Sequence, residues 1–311
     1  MTDTVEVVAG VIERSDGSFL LASRPDGKSF AGYWEFPGGK IESGELPYEA
    51  LARELHEELG ISVLLAYPWI HRYFRYPHAN VAIHFYRVRS WQGTPSALEG
   101  QVLSWCSHGE PLPGQILPAN SQVLAALSLP QYYALTHFND PADPLSMESF
   151  ISGLEHGIRL VLIREPWVDE SERIRLARAL KPIAEEKSVR LLFHGTEALA
   201  RASGVGGIHL NSHELMKLEE RPDFPLCAAS VHNPEEMKKA ADLELDFVML
   251  SPVAKTKSHP EKGPLGWASF SQIISDCPLP VFALGGLSKL DLDSAMEAGA
   301  HGVAMQRAIW F

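Results

Sequence analysis

The stretch GKIESGELPYEALARELHEELGI, residues 39–61, limits what this chain can fold into more than any other. Gly38, Gly39 and Gly44 favour a bent backbone and 46–59 is dense in good helix formers, so the pattern predicts a glycine loop feeding a helix. Pro47 suits the first helical turn, and Gly60 suits the cap that ends it. At about 100° per residue, Leu51, Leu55 and Leu59 form one apolar stripe, while Glu54, Glu57 and Glu58 fan across the neighbouring face. Like charges at these spacings repel, and Glu58 falls at the edge of the buried stripe, where an unpaired charge is costly. A hard divalent ion with oxygen ligands relieves both problems. Arg53, four residues before Glu57, can hold that carboxylate by a charge-assisted pair.

Gly39, Glu45 and then Arg53-Glu54-Leu55-His56-Glu57-Glu58-Leu59-Gly60-Ile61 match the fixed positions of the Nudix box, and the segment resembles that family of nucleoside-diphosphate-linked hydrolases. Glu35-Phe36-Pro37-Gly38-Gly39-Lys40 and Leu117-Pro118-Ala119-Asn120 are similar to segments of its MutT type, which removes 8-oxo-dGTP from the nucleotide pool and so serves DNA repair. The resemblance implies an α/β/α sandwich with a mixed sheet. It implies Mg²⁺, with Mn²⁺ as a substitute, held by Glu54, Glu57 and Glu58 with the Gly39 carbonyl and Glu99, and it implies nucleotide contacts from Arg24, Phe36 and Asn120. Arg53 and Glu45 then support the loop and the carboxylates. The general base is a carboxylate, Glu54 ahead of Glu99. Asn120 has two readings: a cap for the helix that follows, or a reader of the O6 and protonated N7 edge of 8-oxoguanine. Glu99 and Arg24 likewise have ordinary surface readings.

At 311 residues the chain is long enough for two domains, divided at 1–130 and 131–311. A net charge of -12 makes a nucleic-acid polymer an unfavourable partner, whereas small phosphorylated metabolites that arrive with their metal ions remain compatible. Cys106, Cys227 and Cys277 are isolated, which fits reduced core residues better than a disulfide framework. No apolar run is long enough to span a bilayer, and the first residues alternate like a strand instead of following a signal-peptide design. These features are those expected of a cytoplasmic enzyme without a membrane partner.

In the first part, 5–13 and 19–23 are β-rich runs around Ser15-Asp16-Gly17, which reads as a hairpin. Further strands are expected at 69–76, 81–89 and 102–106, with a helix at 120–127. From 132 onward the chain alternates regularly. Strand-like runs at 132–136, 160–164, 190–193, 207–210, 226–230, 247–250, 281–284 and 302–305 are separated by helical patterns that include 170–186, 234–241 and 289–298. This order predicts a (β/α)₈ TIM barrel, with a doubly wound open sheet as the alternative.

Gly206-Gly207-Ile208-His209-Leu210, Ala229-Ser230-Val231-His232, Leu250-Ser251-Pro252-Val253, Gly263-Pro264-Leu265-Gly266-Trp267 and Ala283-Leu284-Gly285-Gly286-Leu287 resemble segments of the thiamine phosphate synthase and TenI family. In a barrel, the site lies at the strand C-terminal ends, and phosphate is frequently held after strands seven and eight. Gly285 and Gly286, with Gln306 and Arg307, are the candidates for that cradle, although the glycines also suit a tight turn. Arg164, Ser230 and Thr256 are further candidates, and thiazole phosphate is the implied ligand. The departures are specific. His194-Gly195 stands where synthases carry an Asn-Asp pair, Pro252 stands where TenI-type tautomerases carry a histidine, and 255–259 departs from their lysine loop. Thiamine phosphate synthesis, another activity and a ligand-binding module therefore all remain open for the barrel, and hydrolysis of damaged thiamine pyrophosphate remains open for the first domain. The histidines near the mouth, His194, His209, His232 and His259, read as structural or solvent-facing.

Overall fold

The computed structural model describes residues 4–77, 79–138, 144–255 and 263–310. The chain divides into two compact units, Met1–Ser128 and Leu129–Phe311.

The first unit runs β1 (Thr4–Ile12), β2 (Phe19–Ser23), β3 (Trp34–Glu35), α1 (Pro47–Leu59), β4 (Ser62–Arg75), β5 (Asn80–Gln92), β6 (Leu103–Cys106) and α2 (Ser121–Leu127). Its larger sheet, ordered β1-β5-β4, is mixed, because β1 pairs with β5 in parallel and β5 with β4 antiparallel. β2 joins β3 and β6 in a second, antiparallel sheet. The hairpin expected for β1 and β2 is therefore corrected. Both runs are strands and the expected turn joins them, with the Arg14 N–H bonded to the Ser18 carbonyl at 2.9 Å, but their pairing stops at one antiparallel bridge, Glu13 to Phe19, before they enter different sheets.

Alternation along β1 assigns the two faces. Val8 and Ile12 pack with Ala50, Leu51, Leu55 and Leu59 of α1, while Ala9 and Val11 pack with Phe36, Phe85, Val123 and Leu127 on the side of α2. Gly10 lets α1 approach, since a Cβ there would stand 2.9 Å from the Leu55 Cδ1. Burying each leucine of the α1 stripe contributes about 1.5–3 kcal/mol, and this fixes which way the acidic face points. Gly60 closes the helix in the left-handed region at φ 69°.

The second unit continues with β7 (Tyr132–Leu135), α3 (Pro144–Glu155), β8 (Leu160–Ile163), α4 (Glu170–Glu186), β9 (Arg190–His194), α5 (Glu197–Ser203), β10 (Gly207–Leu210) and α6 (Ser212–Lys217). It ends with β11 (Leu226–Val231), α7 (Pro234–Asp242), β12 (Phe247–Leu250), α8 (Gly266–Ile274), β13 (Val281–Leu284), α9 (Leu292–Glu297) and β14 (Gly302–Met305). The strands are parallel, and pairing of β14 with β7 closes the ring, which excludes the open sheet. Tyr133, Leu160, Leu162, Leu192, Phe247, Met249 and Phe282 fill the interior, while a larger apolar layer lies between strands and helices.

Candidate active site

The glycine loop is clamped from two sides. On one side, the β1 amides of Val8 and Gly10 donate to the carbonyls of Gly39 and Pro37, each at 2.8 Å. On the other, Glu58 Oε2 accepts the Gly38 N–H at 3.1 Å. No side chain fits between: a Cβ on Gly38 would stand 2.2 Å from the Val8 carbonyl, and one on Gly39 would stand 2.3 Å from the Glu54 carboxylate carbon. Glu54 is thus pressed flat against the loop. The Gly39 carbonyl keeps a second lone pair beyond its bond to Val8.

Arg53 organises the carboxylates more widely than its spacing from Glu57 predicts. Its Nε and Nη2 grip Glu45 at 3.0 and 2.9 Å, its Nη1 reaches Glu54 at 2.9 Å and Glu57 at 3.2 Å, and Nη2 also donates to the Lys40 carbonyl at 3.0 Å. The fork geometry of a guanidinium is what makes this sharing feasible. The Arg53 bonds, followed by the Glu42 amide, hold the Glu45 carboxyl below its ordinary range. Glu45 Oε2 takes that amide at 3.1 Å, so it braces the loop. Glu58 behaves oppositely. Burial first, and then the charges of Glu99, Glu54 and Glu35, push it up to about 7 against the lowering effect of the Gly38 amide. A buried acid surrounded by acids lacks positive charge, and this chemical environment fits a divalent cation.

Glu58, Glu99 and Glu35 line one narrow cleft with Lys28, Gly38 and Gln101. Gln101 ties the Glu99 loop to the end of α1 by accepting the Glu99 N–H at 2.8 Å and donating to the Glu58 carbonyl at 2.9 Å. Glu99 itself pairs with Lys28 at 3.3 Å. Arg24 does not stand free at the surface. Its Nη1 meets Glu35 at 2.6 Å and its Nε donates to the Ser29 carbonyl at 2.7 Å. Burial still raises the Glu35 carboxyl, with Arg24 opposing that effect. Glu35, Lys28 and Gln101 are absent from the sequence-based candidates. For Glu35, its place as the last strand residue before the glycine loop was the available signal.

Asn120 stands at the N-cap position of α2 yet makes no side-chain cap bond. Instead its Oδ1 accepts the Phe36 N–H at 3.1 Å, which fixes the orientation of a side chain only 4% exposed. Phe36 needs a correction as a contact for a nucleotide base. Its ring is 2% exposed and packs near Phe19 and Phe85, so it belongs to the core and only its backbone faces Asn120.

In the barrel, a cavity of about 930 Å³ is lined by Arg164, His194, Ser230 and His232 on one part of its wall and by Gly285, Gly286, Gln306 and Arg307 on another. Gly285 and Gly286 have φ of 116° and 67°, and a Cβ on Gly286 would stand 2.5 Å from the Lys255 carbonyl. Glycine is therefore required by the turn, whether or not a phosphate is held there. Gln306 donates to the Thr136 carbonyl at 3.4 Å, and Arg307 is exposed. Ser230 shares His209 Nε2 at 2.9 Å, while Tyr133 meets His209 Nδ1 at 3.1 Å, so His209 is a fully buried link. His194 is driven down to about 4, by burial first and then by Arg164 and Arg173. Thr256 and His259 lie outside the described residues.

The carboxylate-lined loop and helix on a mixed sheet define a phosphoanhydride hydrolase, joined in one chain to a closed parallel barrel. The NUDIX domain family matches residues 3–127 and the thiamine monophosphate synthase family matches residues 133–309. The chain belongs to the thiamine monophosphate synthase family and carries a Nudix hydrolase domain ahead of it. It is 40% identical over 123 residues to an 8-oxo-dGTP diphosphatase of Haemophilus influenzae, a match covering 40% of this chain and 90% of that one. It is 42% identical over 123 residues to a CTP pyrophosphohydrolase of Escherichia coli, covering 39% and 90%. The barrel is 29% identical over 181 residues to a putative thiamine-phosphate synthase of Aquifex aeolicus, covering 57% and 96%. Nudix hydrolases generally use divalent metal ions. Among the described residues no helix is long and apolar enough to cross a membrane.

Proposed function

We propose that the first domain hydrolyses 8-oxo-dGTP to 8-oxo-dGMP and diphosphate, clearing an oxidised nucleotide from the cytoplasmic pool. The observation that carries this reading is Glu54 set against Gly39 and Glu58 bonded to the Gly38 amide, with Glu57 held beside Glu54 by Arg53. Glu54, Glu57, Glu58 and Glu99, with the free lone pair of the Gly39 carbonyl, are the groups that would hold Mg²⁺. Once bound, that ion supplies charge neutralisation along the phosphate chain and activation of water.

The chain's own residues do the rest. Arg53 keeps Glu54 and Glu57 aimed, and Glu45, gripped by the same guanidinium, braces the loop. Water attacks phosphorus while Glu54 accepts its proton, the bridging P–O bond breaks, and the displaced oxygen leaves on the diphosphate. Glu99, paired to Lys28, is the second candidate for the base. Asn120 supports the oxidised purine. With one Oδ1 lone pair on the Phe36 amide, its N–H₂ can donate to O6 and the other lone pair can accept from a protonated N7. Ordinary guanine lacks that N7 proton.

The barrel is proposed to bind a small phosphorylated ligand such as thiazole phosphate, with the Gly285 and Gly286 backbone and Arg307 as its anion partners. The deciving comparison for the whole chain is turnover of 8-oxo-dGTP, dGTP, CTP and oxidised thiamine pyrophosphate under Mg²⁺. The reading requires the highest kcat/KM for 8-oxo-dGTP, and preference for any of the other three would overturn it. Aminopyrimidine pyrophosphate with thiazole phosphate tests the barrel: product would make it a synthase, and binding without turnover a ligand module.

A further inference from the structure

Three side chains that take no part in the acidic loop converge on one face of the mixed sheet. They are Glu6 of β1, His71 of β4 and His84 of β5, and their candidate ligand atoms all lie within 4.8 Å of one another. Strand pairing explains the meeting. His71 and His84 are directly opposed across the antiparallel β4–β5 pair, and Glu6 lies diagonal to His84 because Glu6 opposes Ala82 while Val8 opposes His84. With a side-chain period of two, all three project from the same face. The two imidazoles stack with centroids 4.1 Å apart and planes 13° from parallel, and His84 Nε2 stands 2.8 Å from Glu6 Oε2.

Two imidazoles and a carboxylate are the donor set of a zinc site that leaves a fourth position open. Ligand atoms at 2.0–2.1 Å from a tetrahedral ion stand about 3.3 Å apart, so a modest side-chain rotation closes this cluster around one ion. The donor chemistry also separates it from the Nudix carboxylates, because imidazole favours zinc and its neighbours whereas all-oxygen sites favour magnesium.

We propose that Glu6, His71 and His84 form a second metal site that takes Zn²⁺ or a similar transition ion. Such an ion ties three strands together close to the catalytic loop. The Glu6 carbonyl accepts the Ile41 N–H at 3.0 Å, and Val8, two residues on, holds Gly39. The site therefore bears on the stiffness of the strand against which the loop is hydrogen-bonded.

The test uses the full-length protein, stripped with chelator and titrated with Zn²⁺ or Co²⁺ under excess Mg²⁺. One equivalent should bind, Co²⁺ should give visible absorption of a four- or five-coordinate site, and Zn²⁺ should raise the Tm. Glu57→Gln should retain all three properties. His84→Gln and Glu6→Gln should weaken Zn²⁺ binding at least about tenfold and lose the Tm shift. These two positions are preferred because His71 is only 7% exposed, and its replacement risks the fold. Wild-type affinity in both His84→Gln and Glu6→Gln would overturn the proposal, as would loss of all Zn²⁺ binding in Glu57→Gln.

Discussion

The two candidate sites of this chain shift a titratable group in opposite directions, in each case by burial first. Around the Nudix loop, burial and neighbouring acids push Glu58 up to about 7, so the site lacks positive charge despite Arg53. At the barrel mouth, burial first and then the charges of Arg164 and Arg173 push His194 down to about 4. There loss of solvent and neighbouring arginines act in the same direction on an imidazole. The contrast separates a cluster of carboxylates, whose chemistry fits a cation, from a cavity whose wall carries arginine and histidine. It also separates two kinds of site. One is made of side chains from a single stretch of sequence with its neighbouring loop, and the other of residues at the ends of separate strands.

The largest effect that would sharpen this contrast is expected from Glu57→Gln. It should lower kcat for 8-oxo-dGTP by about 10³ or more with an unchanged circular dichroism spectrum, and it should leave ligand binding by the barrel unaltered. Near-normal turnover would erase the distinction. Gly39→Ala comes next. Its methyl must displace the Glu54 carboxylate, which lies 2.3 Å away, and a loss of about 10² in kcat is expected from that misplacement. Steady-state kinetics beside a thermal melt would separate displacement from unfolding.

Asn120→Ala should cut the preference for 8-oxo-dGTP over dGTP by about tenfold, since two of the base contacts go with the amide. It also leaves the Phe36 N–H without its acceptor, at a cost of about 1–3 kcal/mol, measurable by urea denaturation. The smallest effect is a slope in stability with pH from the barrel. The folded pKa of His194 lies below the ordinary 6.5, so the unfolded chain takes up a proton that the folded one refuses. The stability it contributes is present above pH 6.5 and is lost as pH falls towards about 4. Urea melts of His194→Gln across that window should show a flatter dependence than wild type, and identical slopes would remove His194 from the account.

How much of this was legible in the sequence follows from how local each signal is. The acidic helix, its leucine stripe, Pro47 and Gly60 are encoded within one stretch, and the helix at Pro47–Leu59 has the expected ends. The barrel strands were legible because short apolar runs recur between helical patterns, and the ring closes as the alternation implies. Partnership between strands was not. β1 reads like half of a hairpin with β2, yet its partner is β5, which begins only at Asn80. Alternation shows that a residue faces in or out and says nothing about which strand lies beside it.

The same limit hid the functional detail. Phe36 stands beside the glycine loop in the chain and was expected at the nucleotide, but the strand turns its ring into the core. Asn120 had two readings, cap or base reader, and its actual bond to the Phe36 amide joins segments far apart in sequence. Glu6, His71 and His84 are likewise scattered. The pairing of β4 with β5 was the missing step, because it places His71 opposite His84.

The central claim is that a cation bound by the acidic face of α1 makes a phosphoanhydride cleavable. The most direct measurement follows diphosphate release from 8-oxo-dGTP as Mg²⁺ is returned to chelator-stripped protein. The account predicts no turnover at the start and a saturable rise with Mg²⁺ that Glu54→Gln and Glu57→Gln abolish. Turnover that ignores the ion, or none at any concentration of it, would contradict the account.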